Sequence, residues 1–591
     1  DESGENQFEE FNMVVLSVGL QVSDSTVAMA ERLEIDINKY NFASTEPFTP
    51  VETSRDGVYA CGIFQGPKDI PGSVTEASAA ACAVGINLSD ARGTCVKTLE
   101  IPEEIDVSGE DPRIGVFVCR CGINIAGVVD VPEVCKYSES LPNVVYTGEN
   151  LFSCSQDSQD QMKEIFAEHR INRVVVASCS PKTHEPIFMD TLEACGLNKY
   201  LFEMANIRNQ NSWIHTDDPD AATKKAKELV SMAVARAAKL KPLEEKRIPV
   251  TQRALIVGGG VGGMNASLSL ADQGFEVVLV EKEPELGGMA RKLFETIEGD
   301  DIQAYLKKLI DRVTSHSNIQ VLMESLIVGF SGFKGNFNTE ILVGPGMYER
   351  KVEHGIVILA TGAKEYKPEE FLYGENPAVV TQVEMGLMME KNEGIEELNH
   401  VVMIQCVGSR NDESPNCSRI CCQNAIKNAL HLKKMNPDAQ IYVLYRDIRA
   451  YGLMEDYFTE ARRQGVFFFR YDPEEPPVVE QGDSGVTVTF KDHVIGCNIS
   501  VDAELLVLSA GMRPEDTDEL SSILKVARNE DDYFMEVHVK LKPVEMASEG
   551  IFVCGTAHSP KLLTEAISQS MAAASRATTF LSQPHLTLSA L

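Results

Sequence analysis

The sequence has few basic residues for its length. Lys and Arg number 54 against 88 Asp and Glu in 591 residues, which gives a net charge of −34. A phosphate-binding face needs an excess of cations, so this balance argues against nucleic acid and against an anionic membrane surface. Long apolar runs are also missing, and we predict no membrane span. We find no pattern of an export signal at the start, so we expect a cytoplasmic protein.

Cysteine, in contrast, is abundant, with 15 residues. In a chain without an export signal, this number predicts metal sites in a reducing compartment rather than a disulfide framework. The cytoplasm of an anaerobe would suit such a protein.

A glycine-rich turn in the middle of the chain predicts a dinucleotide site. Gly258, Gly260 and Gly263 follow an apolar strand and open a helix, and Glu281 ends the next apolar strand. The glycines let the backbone approach a pyrophosphate at the helix N-terminus, and the carboxylate accepts ribose hydroxyls. This strand–helix–strand setting makes the motif specific. The alternative is a Rossmann domain that binds no cofactor.

Three later motifs favour FAD over NAD. They resemble the second glycine pair, the Ala-Thr-Gly strand end and the late flavin-lining strand of two-dinucleotide flavoproteins. The residues that carry them are Gly288, Thr361, Gly362 and Gly555. Those flavoproteins usually have Gly-Asp at the last motif, and here Cys554 precedes Gly555, so the aspartate contact is lost.

Four cysteines occupy the place where such flavoproteins carry a second, nicotinamide-binding turn. They are Cys406, Cys417, Cys421 and Cys422, between the strand at 400–405 and the helix that follows. Four thiolates suit a cubane iron–sulfur cluster, although the spacing is not that of bacterial ferredoxins. Zinc and a redox-active disulfide use the same residues and remain alternatives.

A second set of cysteines stands near predicted strand ends between residues 110 and 245. It consists of Cys119, Cys121, Cys154 and Cys179. The ends of parallel strands converge, so these thiols predict a second cluster, with ordinary buried cysteine as the alternative. Cys135 and Cys195 are left out of it. We interpret the other cysteines as core thiols: Cys61, Cys82, Cys95, Cys497 and Cys554.

Part of the chain occurs twice. The stretch Leu16–Leu20 (LSVGL) matches Leu508–Met512 (LSAGM), and the Cys-Gly pair at Cys61 recurs at Cys554. The offset is constant to within one residue. We therefore interpret residues 1–95 as the C-terminal part of a flavoprotein-type domain. Its first half is expected on another chain or, as we favour, upstream in a longer tandem polypeptide.

Three motifs are specific to one family. The run CSRICCQNAIK at 417–427, ASCSPKTHEP at 177–186 and CRCGIN at 119–124 resemble the A-type subunit of heterodisulfide reductase. The resemblance covers nearly all of the chain. It implies FAD and two [4Fe-4S] clusters, with Lys427 close to the flavin ring, where an ammonium would stabilise reduced flavin. Lys561 and its repeat, Lys68, are further candidates for the flavin edge.

The predicted fold class is α/β. A two-dinucleotide-binding, thioredoxin-reductase-like flavoprotein domain is expected at 250–591, with an inserted iron–sulfur-bearing unit at about 395–515. A smaller α/β iron–sulfur domain is expected at 110–245, after the partial repeat at 1–95.

The resemblance implies an oxidoreductase subunit that transfers electrons through FAD and the clusters. It further implies electron bifurcation that links a donor module to ferredoxin and a disulfide-type acceptor. The expected partners are B- and C-like subunits of such a reductase, ferredoxin, and a hydrogenase, formate dehydrogenase or F420-linked module, in a dimerised hetero-oligomer. The ferredoxin-like module common at the end of family members is not found, so the exit to ferredoxin is expected on another subunit or outside this chain. The alternatives are an NAD(P)H-dependent flavin disulfide reductase and a cofactor-poor scaffold subunit.

Overall fold

A computed structural model describes residues 8–96, 101–483 and 485–589. These residues form two compact units. The larger unit contains the described residues up to Arg92 together with Pro249–Leu586. The smaller unit contains those of Gly93–Ile248 and the last described residues, from Thr587 onward.

The helices are α1 Asp24–Leu33, α2 Ile70–Asn87, α3 Val131–Ser138, α4 Gln156–Glu168, α5 Pro181–Glu193, α6 Pro219–Ala237, α7 Val261–Ala271, α8 Ile302–Ser315, α9 Gln382–Lys391, α10 Cys421–Met435, α11 Glu455–Arg463, α12 Asp518–Leu524 and α13 Leu563–Leu581. The strands are β1 Ile114–Cys119, β2 Val144–Asn150, β3 Arg173–Ser178, β4 Phe202–Asn206, β5 Glu245–Pro249, β6 Arg253–Val257, β7 Glu276–Val280, β8 Ile319–Leu322, β9 Ser325–Phe333, β10 Asn336–Val343, β11 Tyr348–His354, β12 Ile356–Leu359, β13 Ala363–Glu365, β14 Val379–Thr381, β15 His400–Val407, β16 Gln440–Tyr445, β17 Phe467–Arg470, β18 Val478–Gln481, β19 Val486–Asp492, β20 Cys497–Ala503, β21 Leu505–Ala510, β22 Met512–Pro514, β23 Ile551–Val553 and β24 His585–Ser589.

Two parallel sheets organise the larger unit. The first has the order β23-β12-β6-β7-β8 and the second the order β14-β21-β15-β16-β17. Each is accompanied by a three-stranded antiparallel sheet, β9–β11 or β18–β20. The central strands are continuous apolar runs, as strands covered on both faces require, and every residue of β12 is buried. This duplicated arrangement confirms the predicted fold class.

Helix α7 connects the two central strands of the first sheet. It is almost wholly buried because it packs on that sheet and against α13. Small residues such as Gly263, Ala266 and Ser267 permit this close approach on several sides. The start of α7 is therefore held rigidly at the carboxyl end of β6, where a ligand site is expected.

The smaller unit is built on one parallel sheet with the order β2-β1-β3-β4. Every residue of β1 and of β3 is buried, and α6 packs on this sheet with six buried side chains, four of them alanines. The N-cap of α6 is Asp218, whose side chain accepts a hydrogen bond from the Ala221 amide. Within the described residues, no helix combines the length and the apolar character that crossing a membrane requires.

Candidate functional site

The glycine-rich turn after β6 is closed tightly around its own backbone. Gly258 has φ +110°, and a Cβ there would lie 2.3 Å from the Ala360 carbonyl oxygen. A Cβ at Gly263 would lie 1.8 Å from the Gly258 oxygen. Gly260 is the N-cap of α7, and nothing lies within 4 Å of the position its Cβ would take. The turn therefore excludes side chains and leaves the helix N-terminus open to a phosphate.

Glu281, directly after β7, lies beside this turn. Its side chain is 7% exposed. Oε2 accepts the Gly259 amide hydrogen at 2.5 Å, and Oε1 accepts that of Glu283 at 2.8 Å. The carboxylate is thus fixed where the second strand ends, as recognition of a ribose requires.

The later glycine motifs meet the same turn. Gly287 forms a parallel bridge with Gly260, and a Cβ at Gly288 would lie 3.4 Å from the Gly260 Cα. From the other side, a Cβ at Gly262 would lie 3.8 Å from the Cys554 sulfur. Together with Ala360, which contacts Gly258, four separate stretches surround one end of the first sheet. Their backbones leave the close-approach surface that a flavin dinucleotide needs.

Gly555 and Gly362 have the backbone conformation that the two strand-end motifs require. Gly555 has φ +68° and donates its amide hydrogen to the Gln569 oxygen at 2.9 Å. Gly362 has φ +84°, and its Cβ would lie 3.9 Å from the hydroxyl oxygen of Thr556. Thr361 lies at the turn after β12, next to Gly258. These contacts place all the sequence-predicted glycines and Thr361 around the same end of the sheet.

Two lysines near this region are half-buried. Burial lowers the pKa of Lys561 to about 8, and burial likewise lowers that of Lys427 to about 8. Lys427 donates to the Glu295 carbonyl oxygen at 3.3 Å and lines a cavity of about 280 Å³ with His431. Both ammonium groups can thus lose or gain a proton near neutral pH.

A series of hydrogen-bonded polar side chains, which the sequence did not indicate, contacts Lys561. The Lys561 Nζ lies 3.3 Å from the Nδ1 of His558, and the Nε2 of His558 lies 2.8 Å from Glu536. Gln569 also contacts Nδ1, at 2.9 Å. Burial lowers the pKa of His558. The only sequence signal was that His558 stands between the Cys-Gly pair and Lys561.

The first cysteine group, which we call the larger-unit thiols, surrounds the end of β15. It consists of Cys406, Cys417, Cys421 and Cys422. Cys406 has φ +65°, and α10 begins at Cys421. Burial first, and then the neighbouring thiols of Cys422, Cys406 and Cys417, raise the pKa of Cys421. The fold therefore brings all four thiols together.

The surroundings of the larger-unit thiols are cationic and rich in donors. Arg410 donates to the Cys406 sulfur at 3.9 Å, and the Arg419 amide donates to Cys417 at 3.3 Å. The side-chain amide of Gln405 and the Oε1 of Gln423 are buried, and neither has a hydrogen-bond partner among the residues that the structure describes. Buried polar atoms need partners, and cluster sulfur can accept from the Gln405 nitrogen. Four deprotonated thiols with such donors fit an iron–sulfur cluster.

The second group, the smaller-unit thiols, lies at the carboxyl end of the smaller sheet. It consists of Cys119, Cys121, Cys154 and Cys179. Burial, followed by the thiols of Cys119, Cys179 and Cys121, raises the pKa of Cys154. The Ser153 amide donates to the Cys119 sulfur at 3.5 Å.

Unpaired hydroxyls accompany these thiols as well. The Oγ atoms of Ser153 and Ser178, next in sequence to Cys154 and Cys179, are buried, and within the described part of the chain neither forms a hydrogen bond. They are donors suited to cluster sulfur. Among the described residues, no set of three or more His, Cys, Asp or Glu is placed to hold a single metal ion.

The expectation that the remaining cysteines are core thiols is wrong for two of them. Cys95 and Cys497 are exposed, and Cys61 is half-buried. Cys497 begins β20 directly after the turn at 493–496, where both it and Asn498 are exposed. Cys82 and Cys554 are buried as expected, and burial raises the pKa of each to about 12.

Comparisons with known proteins agree with this geometry. The family model "FAD dependent oxidoreductase" matches residues 254–339. The second of two iron–sulfur A-type subunits of the CoB–CoM heterodisulfide reductase of Methanopyrus kandleri is 36% identical over 568 residues, covering 80% of this chain and 86% of the relative. The corresponding A-type subunit of Methanocaldococcus jannaschii is 34% identical over 559 residues, covering 78% and 85%. Among solved structures, T. acidophilum thioredoxin reductase covers 56% of this chain and 98% of its own, at 15% identity and a TM-score of 0.39.

Fold, turn and thiols together define an iron–sulfur flavoprotein, an oxidoreductase whose flavin is FAD. The chain belongs to the family of heterodisulfide reductase A-type subunits.

Proposed function

We propose that this chain is the electron-bifurcating subunit of a heterodisulfide-reductase-type complex. The observation that supports it best is the position of the larger-unit thiols. They lie at the strand–turn–helix of the second parallel sheet, where a two-dinucleotide flavoprotein would bind its nicotinamide. A one-electron carrier at this position, within the unit that holds the FAD turn, suits division of an electron pair.

The site residues are assigned within this proposal. FAD is held by Gly258, Gly260, Gly263, Glu281, Gly288, Thr361, Gly362, Gly555 and Lys561. One [4Fe-4S] cluster is held by the larger-unit thiols and a second by the smaller-unit thiols. Bound there, FAD exchanges two electrons and each cluster exchanges one. Lys427 supplies a cation whose pKa of about 8 lets Nζ gain or release a proton as the nearby charge changes.

The names of several relatives indicate what kinds of electron donor and acceptor those relatives use. The relatives include the A-type subunits of an "H(2):CoB-CoM heterodisulfide,ferredoxin reductase", of an "H(2)/formate:CoB-CoM heterodisulfide,ferredoxin reductase" and of a "Ferredoxin/F(420)H(2)-dependent CoB-CoM heterodisulfide reductase". From these names we propose ferredoxin and a donor module as partners. From the family resemblance we propose B- and C-like subunits in a dimerised complex in the cytoplasm.

One observation weighs against an NAD(P)H-dependent disulfide reductase. A Cβ at Gly408, in the turn after β15, would lie 2.1 Å from the ring of Tyr366. The guanidinium of Arg513 covers the same ring at 5.0 Å. The turn thus approaches an aromatic side chain closely, at the place where such a reductase would leave room for a pyrophosphate.

The test has two stages. The isolated chain, purified without oxygen, should contain one FAD and about eight iron and eight sulfide, as two [4Fe-4S] clusters require. In the purified complex, reduction of ferredoxin by the donor should then depend on the presence of the disulfide acceptor. Ferredoxin reduction at the same rate without the acceptor would contradict bifurcation, and FAD without iron would contradict the cluster assignments.

A further inference from the structure

The repeated stretch near the N-terminus reproduces the flavin-side turn of the second copy. Cys61 has φ −153° and ψ 164°, and Cys554 has φ −150° and ψ 163°. The next residues, Gly62 and Gly555, have φ +67° and +68°. The two turns therefore share a conformation that L residues rarely adopt, and not only a Cys-Gly sequence.

The polar contacts around the two turns also correspond. Gly62 donates its amide hydrogen to Glu76 at 2.8 Å, as Gly555 does to Gln569 at 2.9 Å, in each case 14 residues later. Lys68 donates to the Gln65 side chain at 3.0 Å. This matches the contact of Lys561 with the side chain three residues before it.

The same helix stripe is buried in one copy and uncovered in the other. Ala577 and Leu581 of α13 are 0% exposed, because they pack against the sheet and helix that carry the glycine-rich turn. Their counterparts at the end of α2, Val84 and Leu88, are 38% and 59% exposed. Helix α2 packs against α13 with another face, so the uncovered stripe is the one that faces the dinucleotide-binding half in the second copy.

A strand-forming segment is uncovered in the same way. Leu506 and Leu508 lie in β21, between β14 and β15, and are 0% exposed. Their counterparts in the first copy, Val14 and Leu16, are 75% and 76% exposed. Apolar runs of this kind are typical of strands buried inside a parallel sheet. Here the run is exposed on a chain with a net charge of −34, and exposed apolar patches of this size mark interaction sites.

We propose that residues 8–92 form the docking surface for the dinucleotide-binding half of a second flavoprotein domain. This half completes a second FAD site at Gly62. The occupant is a polypeptide from outside the described residues with the fold of β6–β20 and its own Gly-x-Gly-x-x-Gly turn. A second copy of this chain does not fit this docking surface, because the α13 helix of that copy already covers its own dinucleotide-binding half. The proposal rests on the assignment of Gly555 to a flavin site.

Cross-linking in the assembled complex tests the docking. We would place the photoreactive residue p-benzoylphenylalanine at Val84 or, as control, at Val494, which is 93% exposed in the β19–β20 turn. Mass spectrometry should identify, at Val84 only, a peptide from a strand–glycine-turn–helix segment other than residues 253–271. Cross-links to a second copy of this chain, to an unrelated fold or to nothing would overturn the proposal.

Flavin counting separates this proposal from the function proposed above. The assembled complex should hold two FAD per chain, and Val84→Arg, Gly62→Val and Gly555→Val should each lower the count to one. Val84→Arg changes an exposed helix position, so folding is preserved, and Val494→Arg should leave the count at two. If Gly555→Val removes a flavin while Val84→Arg and Gly62→Val remove none, the second site fails and the first stands. If Gly555→Val removes none, the flavin assignment itself fails.

Discussion

At the scale of single residues, the proposed flavin site depends on backbone positions where a Cβ would collide with neighbouring backbone atoms. Gly258 combines a positive φ with a carbonyl oxygen 2.3 Å from the place of its Cβ, and Gly263 is tighter still. Glu281 adds a carboxylate held by two amide hydrogens. Burial gives Lys561 and Lys427 pKa values close to neutral pH, so their charges respond to what binds beside them.

A matched pair of asparagine substitutions tests the glycine turn. Gly258→Asn should lower FAD affinity at least about tenfold, or about 1.4 kcal/mol, because the new Cβ meets the Ala360 carbonyl. Gly344 also has a positive φ, +70°, but nothing lies within 4 Å of its Cβ position. Gly344→Asn should therefore keep wild-type affinity in a flavin titration. Equal loss in both variants would show that backbone strain, and not the close approach, is what matters.

One buried histidine should make stability depend on pH. Burial lowers the pKa of His354 from 6.5 to about 4, so between these values the unfolded chain binds more protons than the folded one. Stability should therefore fall as the pH drops from about 6.5 towards 4, by up to about 3 kcal/mol from this group. His354→Gln should flatten this part of the profile in urea unfolding at several pH values. A wild-type slope in His354→Gln would contradict the assignment.

At the scale of elements, both thiol groups use the carboxyl ends of parallel strands. Cys119 ends β1 and Cys179 follows β3. Cys406 is the second-to-last residue of β15, and α10 starts at Cys421. Strands about 4.8 Å apart with loops at the same edge bring residues of distant sequence into one small volume. Helix starts and free amides at the same edge supply donors for sulfur.

Iron analysis of single-cysteine variants tests these groups separately. Cys421→Ala and Cys154→Ala should each lower the iron content from about eight to about four per chain, because each removes a ligand from a different [4Fe-4S] cluster. Combining them should remove nearly all iron. Cys497→Ala, at an exposed position on β20, should lose none. If one single variant lost the iron of both sites, this would indicate that folding of the whole chain depends on one cluster.

At the scale of the whole molecule, the second parallel sheet carries four thiols at the turn where we propose that a nicotinamide would otherwise bind. Thiols fill its turn, and Tyr366 and Arg513 stack over Gly408. The chain is also strongly acidic, which weakens attraction for another polyanion. Electrons should therefore enter through a partner protein.

Spectroscopy with nicotinamides tests this route. NADH or NADPH at about 1 mM, which equals or exceeds ordinary Michaelis constants, should not reduce the flavin of the anaerobic protein. A small chemical reductant of low potential should bleach it in the same cuvette. Rapid bleaching by either nicotinamide would support the disulfide-reductase alternative and would make Tyr366 a residue that moves aside.

The sequence alone determined the parts of this protein that depend on local rules. Glycines at fixed spacing between an apolar strand and a helix specify a turn, because few backbones accept a positive φ without them. Apolar runs alternating with helices specified the α/β class, and the repeat was visible because the same turn needs the same residues. The sequence places the cysteines near strand ends. The spacing of the cysteines along the chain does not show which thiols lie close together in space.

Tertiary structure decided what depends on distant neighbours. It gathered the thiols of Cys119, Cys154 and Cys179 from three strand ends and half-buried Lys427 and Lys561. It also left Gln405, beside Cys406, without a side-chain partner among the described residues. It also exposed Cys95 and Cys497 and uncovered one stripe of α2. Burial and pKa values follow from what packs against a side chain, and a linear pattern records only what precedes and follows it.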